Sequence, residues 1–333
     1  MKKKIITGVV LLALILAAIF AINYYRQNNI NREDFLLPGN YLSQGRDNQG
    51  VFDATLYFTE SGDLKAIDSE GQSKFDVKLD QGFKKILYGK NIYISYDKKI
   101  QALNRHNGKL IKEVEFEKEI LNIELIDNQV YAYIEDGYVF LGERLNKFDL
   151  YTYDGQPTAM SQQGSKRAVN LLESIRGNIN SRIVITDSDR EVFNINSAEE
   201  IFLYNRVLSN GKVFLVSNRY IYLIKESSIE NKVFIKNPKA IDFKDDQIQV
   251  LDFDSLRRFD SNLDEIDSVT IEDDIEQIKI LDTSTVAYSA SKIYVYQNGN
   301  VMNTDIQANH KIYQDQYGVY LFTNDRVERV KAY

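Results

Sequence analysis

The chain has no cysteine and no tryptophan, and its 333 residues include only two histidines and three prolines. Without cysteine there can be no disulfide, no thiolate metal site, no cysteine nucleophile and no lipid-modified N-terminal cysteine. His106 and His310 are the only imidazoles, so a histidine-based metal site or triad would need both to converge with no third candidate. A Gly-rich phosphate loop, a Gly-x-Ser-x-Gly elbow and a His-Glu-x-x-His pair are missing too. Those gaps remove the usual nucleotide, serine-hydrolase and zinc-protease signatures. Positive charge is also short. The 41 Lys and Arg face 48 Asp and Glu, for a net charge of −7, and no basic stripe is concentrated anywhere. An acidic globule repels phosphate backbones, so no nucleic-acid partner is expected.

What remains is rich in strand formers: 22 Tyr and 17 Phe beside abundant Ile and Val, with few prolines to interrupt a ladder. Asn, Asp, Gly and Ser gather between the apolar runs, where turns need them. A weak unit of two β-rich runs around a polar turn recurs. Its first runs begin at Leu56, Ile92, Val130, Ile183, Val213, Ile248, Val286 and Val319, with spacings of 36, 38, 53, 30, 35, 38 and 33. Eight all-β units of about 35–40 residues predict a β-propeller of about eight four-stranded blades, with seven as the alternative count. The Asn107-Gly108 pair reads as a tight hairpin with both turn residues at positive φ. The eighth unit ends one strand short. Ring closure therefore calls for an outer strand from the N-terminal side, expected around Tyr41, Leu42 and Ser43. The spacing of 53 marks an insertion, and the polar residues 154–167 read as a long surface loop.

Lys2, Lys3 and Lys4 precede an uncharged run over residues 5–22. Eighteen helical residues span about 27 Å, enough for a hydrocarbon core, and Tyr24 and Tyr25 follow where an interfacial aromatic belt would lie. The basic end is expected in the cytoplasm and the remainder outside. Ala13, Ala17, Ala18 and Ala21 supply no Ala-x-Ala cleavage site, so the segment reads as an uncleaved anchor. The expected organisation is residues 1–22 as cytoplasmic lysines and transmembrane helix, 23–40 as a polar linker and 41–333 as an extracytoplasmic propeller. Without the three leading lysines the chain carries −10.

The stretch Ile100-Gln101-Ala102-Leu103-Asn104-Arg105-His106-Asn107-Gly108-Lys109-Leu110 resembles the PQQ-like repeat, which reads apolar-x-Ala-Leu-Asp-x-x-Thr-Gly-Lys-apolar. Leu64-Lys65-Ala66-Ile67-Asp68-Ser69-Glu70-Gly71 is a looser match. That family holds quinone-dependent alcohol dehydrogenases and the non-enzymatic propeller of the outer-membrane assembly machinery. An anchor followed by a degenerate propeller also looks like membrane-anchored propellers of Gram-positive bacteria. The chain departs from the family by lacking the tryptophan that closes the repeat, and the Cys pair and Trp that stack on the quinone. The resemblance therefore implies the fold but no cofactor.

Paired acids are the remaining candidates for chemistry: Asp187 with Asp189, Asp252 with Asp254, and Asp273 with Asp274. Carboxylates two apart on a strand share a face and could hold a cation or work as acid and base. In this sequence they fall in turn-like stretches, where side-chain-to-backbone bonds are the expected use. No catalytic, cofactor or metal residue is therefore assigned. The expected function is a membrane-tethered binding or scaffold ring for a protein, peptide or cell-envelope ligand. The alternative is an envelope glycan hydrolase or lyase using channel carboxylates, for which Glu124, Asp242 and Glu276 lie near innermost strands.

Overall fold

The computed structural model describes residues 31–36, 46–53, 55–175, 177–271, 275–297, 299–307, 310–314, 318–323 and 326–331. They form eight four-stranded antiparallel sheets, each a simple meander. Blades 1 to 7 span residues 46–78, 85–115, 122–152, 156–197, 202–234, 238–270 and 277–305. Blade 8 takes three strands from residues 311–331 and its fourth from Asn31–Leu36. The first strands of successive blades stand side by side around the axis, that of blade 2 between those of blades 1 and 3. Eight blades settle the count.

Alternation along the second strands explains the packing. In blade 3, Val130, Ala132 and Ile134 face blade 2, whereas Tyr131 and Tyr133 face blade 4. In blade 5, Val213 and Leu215 join the cluster with blade 4, and Phe214 and Val216 the cluster with blade 6. A strand sandwiched between two blades is buried on both faces and so reads as an unbroken apolar run. Each of the eight blade–blade interfaces has its own apolar cluster, including one that joins blade 8 to blade 1 through Tyr320, Phe322 and Val327 against Leu56 and Phe58. The fourth strands lie at the rim and are polar, as in Ser73–Lys78 and Leu110–Glu115.

Several expectations need correction. The closing strand is Asn31–Leu36, paired residue for residue with Arg326–Lys331, and not the segment around Tyr41, Leu42 and Ser43, which lies outside the described residues. Residues 31–36 therefore belong to the ring, not to the linker. Their polarity is that of the other rim strands, which is why they read as a tether. Residues 154–167 are not a surface loop: they hold the first strand of blade 4, Gln156–Gln163, with Met160 and Ser161 buried. The run at Ile183 is the third strand of its blade, while every other run in the series is a second strand. The true counterpart starts at Ala168, which makes the spacings 38 and 45. The extra length is in the hairpin joining Lys166–Ile175 to Asn178–Asp187, where residues 173–175 pair with 178–180 beyond both flanking strands.

The Asn107-Gly108 turn is also longer than a two-residue hairpin. Only Gly108 has positive φ, and the loop closes from Asn104 to Lys109 through backbone bonds of 2.8 Å. Residues 1–22, with their lysines and apolar run, lie outside the described residues. Among the described residues no helix is long and apolar enough to cross a membrane.

Candidate functional site

Each meander gives the ring two different ends. The inner-turn end carries the turns from first to second and from third to fourth strands. The crossover end carries the second-to-third turns and the connections between blades. Three neighbouring cavities open among the first-to-second turns of blades 3 to 7, at the inner-turn end. One of about 460 Å³ is central, bordered by first-strand residues of five blades, including Glu124, Ala159, Arg206, Asp242 and Lys279. A second of about 480 Å³ lies between blades 6 and 7, lined by Arg258, Thr283, Ser284 and Tyr296. A third of about 340 Å³ is bordered by Gln163, Ser209 and Asp246. Asp245 borders all three.

The central wall is tied together by polar links within and between blades. Lys279 Nζ lies 3.3 Å from Asp242 Oδ2, and that oxygen also accepts the Ile280 amide at 2.6 Å. Glu124 Oε2 accepts from the Tyr133 hydroxyl at 2.6 Å, and Arg206 lies 3.6 Å from Asp127. Lys85 Nζ donates to Asn122 Oδ1 and to the Ile123 carbonyl at 2.9 and 3.1 Å, joining blades 2 and 3, and burial pulls its pKa below the usual lysine range. Between blades 4 and 5, Asn205 Nδ2 donates to Asn170 Oδ1 at 3.0 Å and the Val207 amide donates to Ser161 Oγ at 2.9 Å. Asn170, Ser161 and Asn205 are all buried. Polar groups in a low-dielectric wall need such partners.

Glu124 and Asp242 thus share a cavity, as the hydrolase alternative required. Glu276 does not join them, since it is exposed at the crossover end with its amide bonded to the Tyr288 carbonyl. The acid pairs serve the frame. Asp252 Oδ1 accepts the Lys236 and Asn237 amides at 2.7 and 2.8 Å, fixing the crossover from blade 5 to blade 6, while Asp254 sits in the adjoining turn. Asp187 accepts from Ser165 Oγ at 2.7 Å, a bond that holds its carboxyl below the usual range. Asp189, in the turn after it, pairs with Arg167. Asp273 and Asp274 lie outside the described residues. His106 is in a turn at the inner-turn end and His310 precedes blade 8 at the crossover end, so the imidazoles do not meet. Among the described residues no three His, Asp or Glu side chains gather as a metal site would require.

Lys85, Arg206, Lys279 and Asp245 were not singled out by the sequence pattern. The signal that could have found them is a charged residue in or just after the first strand of its unit, where the side chain reaches the axis.

Fold and cavities together define an eight-bladed β-propeller with a polar-walled channel. No family model matches the chain, and no curated protein does. Solved structures do. The chain is similar to Sqt1 of Saccharomyces cerevisiae, with TM-score 0.58 and 10% identity over 92% of this chain and 100% of that one. BamB of Moraxella catarrhalis gives 0.56 and 11% over 91% and 96%. BBS1N, solved in complex with ARL6DN, gives 0.52 and 12% over 91% and 97%. At these identities the likeness is one of fold.

Proposed function

We propose that this protein is a binding ring, tethered outside the membrane by residues 1–22, that docks a protein or cell-envelope partner without making or breaking bonds. One observation carries the reading. The acids on the central wall are spent on internal links: Asp242 on Lys279 and the Ile280 amide, Glu124 on Tyr133, and Asp127 on Arg206. Acid–base catalysis needs a carboxyl free to exchange a proton with substrate. The first and last of these links join blades and the Glu124 link ties two strands of blade 3, and they leave a ring with open polar cavities. A propeller solved with a bound protein, BBS1N with ARL6DN, supports the docking role by analogy of fold.

Crosslinking in intact membranes tests the proposal, with full-length chain compared against residues 1–30 alone. The expected outcome is a reproducible partner that needs the ring. Turnover of an envelope polymer by the purified chain, abolished by Asp242→Asn, would replace docking with catalysis.

A further inference from the structure

We infer that the inner-turn end of the ring faces the membrane and that its cavities receive a lysine- or arginine-bearing juxtamembrane segment of a membrane protein. The inference rests on the tethering proposed above and adds an orientation and a partner class. The pairing of Asn31 with Lys331 and of Leu36 with Arg326 fixes which way the closing strand runs. Arg326 opens the third strand of blade 8, just past a second-to-third turn, so Leu36 lies at the crossover end and Asn31 at the inner-turn end. The chain therefore enters the ring at the inner-turn end.

Only residues 23–30 separate Asn31 from the apolar run. Eight residues reach at most about 29 Å when fully extended. With the crossover end toward the bilayer, that segment would have to climb the rim beside a six-residue strand, a height of about 20 Å. Little would remain to clear the headgroups. The inner-turn end requires no such climb.

Charge selects the partner. Of the acids bordering the three cavities, Asp242, Asp127, Asp282, Asp246 and Glu124 have partners in Lys279, Arg206, Lys244, Ser209 and Tyr133. Asp245 alone has no hydrogen bond or ion pair among the described residues, and it borders every one of the three. Arg258 and Ser284 also line the blade 6–7 cavity, and among the described residues Arg258 Nε and the hydroxyl of Ser284, a residue only 8% exposed, have no hydrogen-bond partner. A peptide suits both sets of groups: a cationic side chain on Asp245 and backbone carbonyls accepting from Arg258 and Ser284.

The cysteine-free sequence makes the test clean. Single cysteines replace Thr283 and Asn210 at the inner-turn end, or Ala290 and Arg219 at the crossover end of the same two blades. Each full-length variant carries a donor dye and is reconstituted in phosphatidylcholine–phosphatidylglycerol vesicles with an acceptor on the headgroup. Both inner-turn positions should transfer more efficiently than their crossover partners, as a separation of about 15–20 Å along the blade demands. Equal or reversed transfer overturns the orientation. Failure of the chain to float with the vesicles overturns the tether itself, a separate result. A dye-labelled decapeptide of alternating Lys and Ser should bind the reconstituted protein, and Asp245→Asn, which suits the turn's left-handed backbone, should weaken it about tenfold. Equal binding by the variant, or by a Glu–Ser decapeptide, overturns the site.

Discussion

Asp68, Asn104 and Asp260 do the same work in three blades. Each ends or follows a third strand, and each side-chain oxygen accepts the amide two residues on, at 3.0, 2.9 and 2.8 Å. That bond fixes the turn to the rim strand, and it is the physical content of the Asp or Asn in the PQQ-like pattern. The loop then needs a residue at positive φ, supplied by Gly71 in blade 1, Gly108 in blade 2 and Leu263 in blade 6. Leucine at φ +66 is strained by about 1–2 kcal/mol, but this one is 2% exposed and packed between blades 5 and 6. Removing a buried leucine side chain costs about 2–5 kcal/mol. Burial outweighs strain, so Leu263→Gly should destabilise the ring by about 1–3 kcal/mol, read as a lower urea midpoint. A rise in midpoint would show that the backbone strain had been the larger effect. The first two turns were legible because Asp-Ser-Glu-Gly and Asn-Gly advertise them. The third was hidden, because leucine stands where glycine is expected.

At the scale of the element, parity along the second strands decides which interface each side chain joins. The blade 3–4 interface is rich in tyrosine, with Tyr131, Tyr133 and Tyr138 buried and Tyr151 and Tyr153 beside them. Burial pushes the Tyr131 hydroxyl up to about 12, with the Asp127 charge adding to it, and raises Tyr133 and Tyr138 as well. The unfolded chain releases these protons near pH 10 while the folded chain keeps them. Their contribution is therefore whole below about pH 10 and is lost as pH rises above it, through about 12 for Tyr131 and further for Tyr133 and Tyr138, at roughly 1.4 kcal/mol per unit per tyrosine. The urea midpoint should hold from pH 8 to 9.5 and then fall steeply, with unfolding adding phenolate absorbance beyond that of exposed tyrosines such as Tyr204. A midpoint that stays constant through pH 11 would mean that these rings are solvated. Strand content was legible in the sequence, but the register of blade 4 was not. Its second and third strands are ten residues each and equally apolar at their centres, so either fits the repeat.

For the whole molecule, the decisive contact is the longest in sequence: Asn31–Leu36 against Arg326–Lys331. A ring without it presents an open strand edge in blade 8, where another chain can pair. A chain starting at Gly39 should melt at lower temperature and elute as larger species than one starting at Asn23, both compared without the apolar run. Identical melting and a monomeric profile would mean that the apolar contact of blades 8 and 1 closes the ring unaided.

The sequence by itself determined the class of fold, a repeat of seven or eight units and the need for an N-terminal closing strand. Those follow from local regularities: alternation, turn residues and apolar spacing, each legible within a few residues. Tertiary structure alone decided which polar segment closes the ring, which charged residues reach the axis, and which end the chain enters. A rim strand lacks an apolar signature because one edge faces water. Lys279 and Asp242 become a pair only when blades 6 and 7 bring separate first strands together.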